Sequence, residues 1–202
     1  MKHALKLTAI AAAITLAACS AEPAPLTNGE WSIDSAASDL SYVTIKSGNI
    51  AETNSFETVS GSVAADGTAS VEIDLSSVST GVDIRDERMR DIFFVVADNP
   101  TATITAQVDP ASFEKLSIGA NSETTIEGTV SLKGVEAPFK AEATVTRAGE
   151  DRVVVVSDKP VIIYADALGL TEGLAQLQEL AGLPSITPVV PVSFSLTFAR
   201  EN

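Results

Sequence analysis

The chain has 202 residues, 45% of them hydrophobic and 20% charged, which suits one globular domain or two very small ones. Acids outnumber bases 27 to 13 for a formal net charge of -14, so the basic face that nucleic-acid binding needs is missing. The single cysteine excludes a disulfide framework, and the single histidine, His3, stands at the extreme N-terminus.

Residues 1–6, Met-Lys-His-Ala-Leu-Lys, form a short basic head. The apolar run Leu7 to Ala18 follows, too short for a bilayer span of about 20 residues. A basic head, a short apolar middle and small residues before a cleavage point predict a signal peptide over 1–18. Leu16-Ala17-Ala18-Cys19 resembles a bacterial lipobox, which implies cleavage before Cys19 and acylation of that residue. The alternative is an ordinary signal peptide with an incidental cysteine, but the one cysteine falls where a lipobox needs it. Several acyl chains hold a protein on a membrane stably where one does not. Ser20 replaces the aspartate of inner-membrane retention, so the expected place is the outer membrane, facing the periplasm. Residues 19–28 are small, polar and proline-bearing, and are expected to be a lipidated tether.

The remainder, 29–202, is expected to be one domain. It contains no histidine, which excludes Ser-His-Asp and Cys-His catalysis and His-based metal sites. Strands are predicted at 29–34, 39–47 and 56–65. Val71, Ile73 and Leu75 then alternate with Glu72 and Asp74. The same period of two runs through Ala102-Ile104-Ala106-Val108, Ile126-Gly128-Val130-Leu132, Phe139-Ala141-Ala143-Val145 and Val192-Phe194-Leu196-Phe198. One apolar and one polar face mark half-buried antiparallel strands. Val153–Val156 and Val161–Tyr164 read as strands buried on both sides. Turns are expected at Asp66-Gly67, Asn121, Lys133-Gly134 and Gly149-Glu150-Asp151. Paired carboxylates such as Glu72 and Asp74 fall on a polar strand face, which is a solvated surface rather than an acid-base pair.

Two segments break the alternation. Asp83–Phe94 reads as a helix, with Asp83 as cap and Asn99-Pro100 closing the segment. Thr171–Ala181 reads as a second helix with Leu170, Leu174 and Leu177 on one side and Gly182 and Pro184 as its stop. That second helix has three open roles: a lid on the barrel, a cover for a sheet edge, or a homodimer contact. Many short, evenly spaced strands predict an all-β barrel or sandwich, and the pattern alone does not choose between them. The small inward residues leave room for an apolar ligand in a barrel of about eight strands, or simply pack closely.

Several stretches, among them Ser79–Asp86, Phe93-Phe94, Asn99-Pro100 and Gly128–Val135, are similar to motifs of the YceI-like family of periplasmic lipid-binding proteins. Ser79-Thr80-Gly81-Val82-Asp83-Ile84-Arg85-Asp86 resembles its Thr-Gly…Arg-Asp motif. Phe93-Phe94, Asn99-Pro100 and Gly128-Thr129-Val130-Ser131-Leu132-Lys133-Gly134-Val135 resemble motifs that follow it. Trp31-Ser32-Ile33-Asp34, Ser38–Tyr42 and Phe56–Gly61 resemble its opening strands, so the match spans about 30–198. The resemblance implies a lipocalin-like extended antiparallel β-barrel of about eight strands with short helical insertions. It also implies a tunnel for a long isoprenoid, such as a polyprenyl phosphate or a quinone tail. Ligand identity varies within the family. Asp166–Leu170 lacks the family's Phe-Gly, Lys133-Gly134 replaces a usual His-Gly or Arg-Gly, and the lipobox departs from a usually soluble family.

The ligand-lining candidates are the inward apolar residues Ile104, Ile126, Val130, Leu132, Phe139, Phe194, Leu196 and Phe198. The residues alone favour a plain core, and the resemblance favours a tunnel. Arg85 and Arg88 are candidates for a basic mouth that meets the head of a lipid, with bidentate contact to a phosphate. Their alternative is local helix pairing, as between Asp86 and Arg90. No phosphate loop, dinucleotide fingerprint or calcium loop is present, and no nucleophile-base constellation. The expected function is therefore non-catalytic binding of a long apolar lipid in the cell envelope, for storage or transport, with no cofactor or metal. The alternative is an envelope interaction protein with a filled barrel and a partner-binding surface.

Overall fold

The computed structural model of the chain describes residues 25–27 and 29–200. The signal peptide and Cys19 lie outside the described residues. The strands are β1 (Trp31–Ile33), β2 (Asp39–Lys46), β3 (Ile50–Phe56), β4 (Val59–Val63), β5 (Thr68–Asp74) and β6 (Val78–Ser79). They continue with β7 (Thr101–Gln107), β8 (Asn121–Leu132), β9 (Val135–Arg147), β10 (Arg152–Ser157), β11 (Val161–Tyr164) and β12 (Val189–Ala199). Two helices interrupt them, α1 (Asp83–Arg88), prolonged by the π-helical turn Met89–Phe94, and α2 (Thr171–Leu180).

All the pairings are antiparallel. Eight strands close a barrel in the order β1-β4-β5-β7-β8-β9-β10-β12, and β12 returns to β1 through Ile33↔Phe198 and Ser32↔Ala199. Closure removes the open edges that an eight-stranded sheet would otherwise present. The eleven-residue β12 then changes partners along its length. Its C-terminal half pairs β10 and β1, and its N-terminal half pairs β11 and β2. With β3 and β6 added beyond β2, the sheet continues past the closed ring and the barrel becomes long.

The local reasons are visible in the chain. Lys133 and Gly134 both take positive φ, 52° and 76°, and join β8 to β9 with a two-residue loop whose twist suits a hairpin. Asn121, expected in a turn, instead opens β8 opposite Thr146, and the turn lies just before it, where the Ala120 amide donates to Ser117 O at 2.9 Å. Val153–Val156 and Val161–Tyr164 are not buried on both sides. Val153 is buried while Val156 is 41% exposed, and Ile162 and Tyr164 point outward from β11. Each lies in an antiparallel wall with only one face inside.

The first helix differs from the expectation in its cap and its length. Val82 stands at the N-cap, with no side-chain cap there, and Asp86 serves the preceding loop. Its carboxylate accepts from the Thr80 amide at 2.9 Å and from the Thr80 hydroxyl. The α-helix gives way to a π turn after Arg88 and stops at Val95, held at φ 52°, a costly conformation for a β-branched residue. Asn99 repays part of that cost by donating to the freed carbonyls of Phe94 and Val95 at 3.3 and 3.2 Å. β3 was not expected, because Ile50–Phe56 carries polar residues on both faces. It is held instead by a hairpin with β2 in register Lys46↔Ile50 to Leu40↔Phe56, turned by Ser47 and Gly48, both at positive φ.

Candidate functional site

The inward faces of the barrel do not meet, so the barrel is hollow rather than filled. An inner cavity of about 180 Å³ lies at the end where β1, β10 and the C-terminal half of β12 meet. An outer cavity of about 480 Å³ lies at the other end, under α1 and α2. Leu40, Ile104, Phe139 and Phe194 stand in the walls of both, so the two cavities meet at a waist of four apolar side chains.

All ten residues singled out from sequence stand in these walls. Ile126, Leu196 and Phe198 line the inner cavity, and Val130, Leu132, Arg85 and Arg88 line the outer one. Ile104, Phe139 and Phe194 belong to the waist. Alternation could place the eight strand residues inward, but it could not show that the opposite walls stand apart or that Arg85 and Arg88 on α1 reach the outer cavity.

A residue assigned from sequence to the tether, Leu26, joins the wall of the inner end, beside Trp31 and Arg200. Leu26 is buried, and its carbonyl accepts from Trp31 Nε1 at 2.9 Å. Arg200 lies 4.8 Å from the centroid of the Trp31 ring, donates to Asp151 at 2.9 Å and reaches the Pro25 carbonyl at 3.0 Å. The folded unit therefore includes Pro25–Thr27, because Leu26 belongs to the apolar wall of the inner cavity.

The outer end carries a chain of aromatic rings and a cluster of ion-paired side chains. Tyr42, Phe56, Phe94 and Phe93 form a chain of ring contacts with centroids 4.9–5.8 Å apart. The α2 side chains Leu174 and Leu177 face the outer cavity, which assigns this helix as its cover. Gly173 lets α2 approach the π turn, since a Cβ there would stand 3.2 Å from the Phe93 ring. Arg85 does not pair within its helix. Its Nη1 donates to Glu52 on β3 at 2.8 Å and its Nη2 to the Thr80 carbonyl at 2.5 Å. Lys46 also meets Glu52 at 2.8 Å. The Lys46 hydrogen bond, with help from Arg85, holds the Glu52 carboxyl below the usual range despite partial burial. The Asp86–Arg90 pair does not form, because Asp86 is engaged by Thr80. Sequence reasoning missed Leu40, Tyr42, Glu52 and Leu26. Tyr42 and Leu40 alternate on β2 and were legible in principle, whereas the Glu52–Arg85 pairing joins residues 33 apart and left no local signal.

Comparison with known proteins places these features among relatives. A family model described as the YceI-like domain matches residues 31–198. A polyisoprenoid binding domain from Saccharophagus degradans, implicated in plant cell wall breakdown, is 35% identical, with a TM-score of 0.82 over 85% of this chain and 98% of that one. Burkholderia cenocepacia BcnA shares the fold at 20% identity, with a TM-score of 0.62 over 82% of this chain and 98% of its own. A Campylobacter jejuni YceI protein matches at 15% identity and a TM-score of 0.52, over 74% of this chain and 85% of its own. No curated protein matches the chain.

Proposed function

The chain belongs to the YceI-like family, and on that premise we propose that it holds a long isoprenoid lipid in its two-chambered tunnel without changing it chemically. The observation that carries this reading is the pair of apolar cavities meeting at Leu40, Ile104, Phe139 and Phe194. Among the described residues, Thr124 is the one polar member of the inner cavity's lining. Such a wall offers a hydrocarbon chain burial at about 0.8 kcal/mol per methylene and offers nothing to a polar substrate. The binding description of the 35%-identical Saccharophagus domain supports the same class of ligand. The hollow barrel speaks against the interaction-protein alternative, which required a filled one.

The protein acts in this reading as a carrier or store in the cell envelope. An acyl anchor on Cys19 would keep it on the outer membrane, facing the periplasm, beside a source of cargo. Native mass spectrometry of the purified protein, followed by solvent extraction, tests the cargo. A stoichiometric isoprenoid is the expected result. An apo mass together with no uptake of added polyprenyl lipids or quinones would overturn the reading. Labelled palmitate should enter the native chain and not a Cys19→Ser variant.

A further inference from the structure

The wall of the outer cavity contains a hydrogen-bond donor with nothing to donate to. Tyr42 is 8% exposed, and its hydroxyl has no partner among the described residues. A buried hydroxyl without a partner forgoes free energy that nearly all proteins recover. Burial pushes its ionisation far up, so the group stays a protonated donor. A second wall residue, Arg85, leaves its Nε–H buried and unpartnered as well. Asn54, opposite Tyr42 in the β2–β3 register, leaves its Oδ1 unpaired but does not reach the cavity.

We propose that Tyr42 and Arg85 form a subsite for an uncharged, hydrogen-bond-accepting oxygen on the lipid, a carbonyl or a hydroxyl, with the tail directed through the waist into the inner cavity. This rests on the lipid-binding reading and specifies the class of head that the lipid carries. Three observations select an uncharged head over a phosphate. Both terminal nitrogens of Arg85 already spend an N–H, on Glu52 and on the Thr80 carbonyl, which leaves less of the guanidinium for the bidentate clamp of a phosphate. Glu52 is an ionised carboxylate in the same wall, already shared by Lys46 and Arg85. The Phe56 ring lies 5.5 Å from that of Tyr42, and beside apolar rings a second anion is costly while a neutral oxygen is not; Thr44, Thr187 and Arg88 are further polar members of the same cavity wall. Position sets the orientation. Tyr42 stands on β2 between Leu40 at the waist and Lys46 nearer the rim, so a head at Tyr42 leaves the waist and the inner cavity to the tail.

Three probes of equal chain length test this on the whole purified protein: geranylgeraniol, geranylgeranyl phosphate and the hydrocarbon phytane. Affinities come from competition against a fluorescent fatty probe. Geranylgeraniol should bind at least about two- to tenfold tighter than phytane, the range of one neutral hydrogen bond, and at least as tightly as the phosphate. Tyr42→Phe should shrink the advantage of the alcohol over phytane, leaving the part that Arg85 supplies. Equal binding of alcohol and hydrocarbon by the native protein, preference for the phosphate, or an advantage undiminished in Tyr42→Phe would each overturn the subsite. The native comparison stands even if the variant folds poorly. Failure of all three probes to bind would instead overturn the lipid-binding reading.

Discussion

Phe139 and Gly128 face each other across β9 and β8, and the ring occupies the space a side chain on residue 128 would fill. A Cβ on Gly128 would stand 2.7 Å from Phe139 Cε1 and 2.2 Å from the Thr105 carbonyl oxygen on β7. The glycine thus lets Phe139 lie against the wall and reach the waist. Gly128→Ala is expected to cost about 2 kcal/mol through this overpacking, seen as a fall of several degrees in Tm, because the backbone of β7 cannot swing aside as a side chain can. An unchanged Tm would show that the strands have slack.

The waist should discriminate tails by length. Phe194→Trp adds bulk where the two cavities join. A short prenol such as geraniol is expected to bind this variant as it binds the native protein, within the outer cavity. Geranylgeraniol should lose at least about tenfold, since about two methylenes denied burial suffice for that loss. Titration of both ligands against both proteins checks it, and equal losses for both would remove the waist as the cause.

Arg200 fastens the inner end. Its guanidinium covers Trp31, pairs with Asp151 and reaches the Pro25 carbonyl. Arg200→Ala is expected to lose about 1–2 kcal/mol, a fall of roughly 2–8 °C in Tm, and to expose Trp31 to solvent quenchers. Thermal unfolding and acrylamide quenching of the single tryptophan measure both effects.

Acid should loosen the cover of the outer cavity through Glu52. Its folded ionisation lies below the ordinary value of 4.5, chiefly through the Lys46 hydrogen bond and secondly through Arg85. A lowered carboxyl stabilises the fold fully above the ordinary value and loses that contribution as pH falls through the folded one. Tm should therefore fall below about pH 4.5, and Glu52→Gln should show a lower Tm at pH 7 but a shallower fall in acid. Parallel acid profiles for the two proteins would assign the acid loss to other carboxyls.

Much of the barrel wall was legible because burial on one face leaves a period of two, as in Ala102, Ile104 and Ala106 on β7 and Val192–Phe198 on β12. Turn chemistry at Lys133-Gly134 was legible for the same local reason, since a two-residue hairpin loop needs positive φ. β3 was not legible. Its buried member is Asn54, held by Thr44 and the Glu52 carbonyl, so no apolar face marks it. The π turn and the Asp86–Thr80 cap escaped as well, because a helical run gives no sign of where its hydrogen-bond register slips.

Local pattern was enough to show which residues of the alternating strands face inward, that two helical segments interrupt a mostly β chain, and, through the motifs, the family. Only the tertiary structure decided that those faces enclose two cavities and a waist, that Ile33 meets Phe198 to close the ring, and that Arg85 answers Glu52. The physical reason is range. Side-chain alternation and turn conformation are set by neighbours a few residues apart, whereas the space between opposite walls depends on strand number, partner exchange along β12 and contacts between residues far apart in the chain.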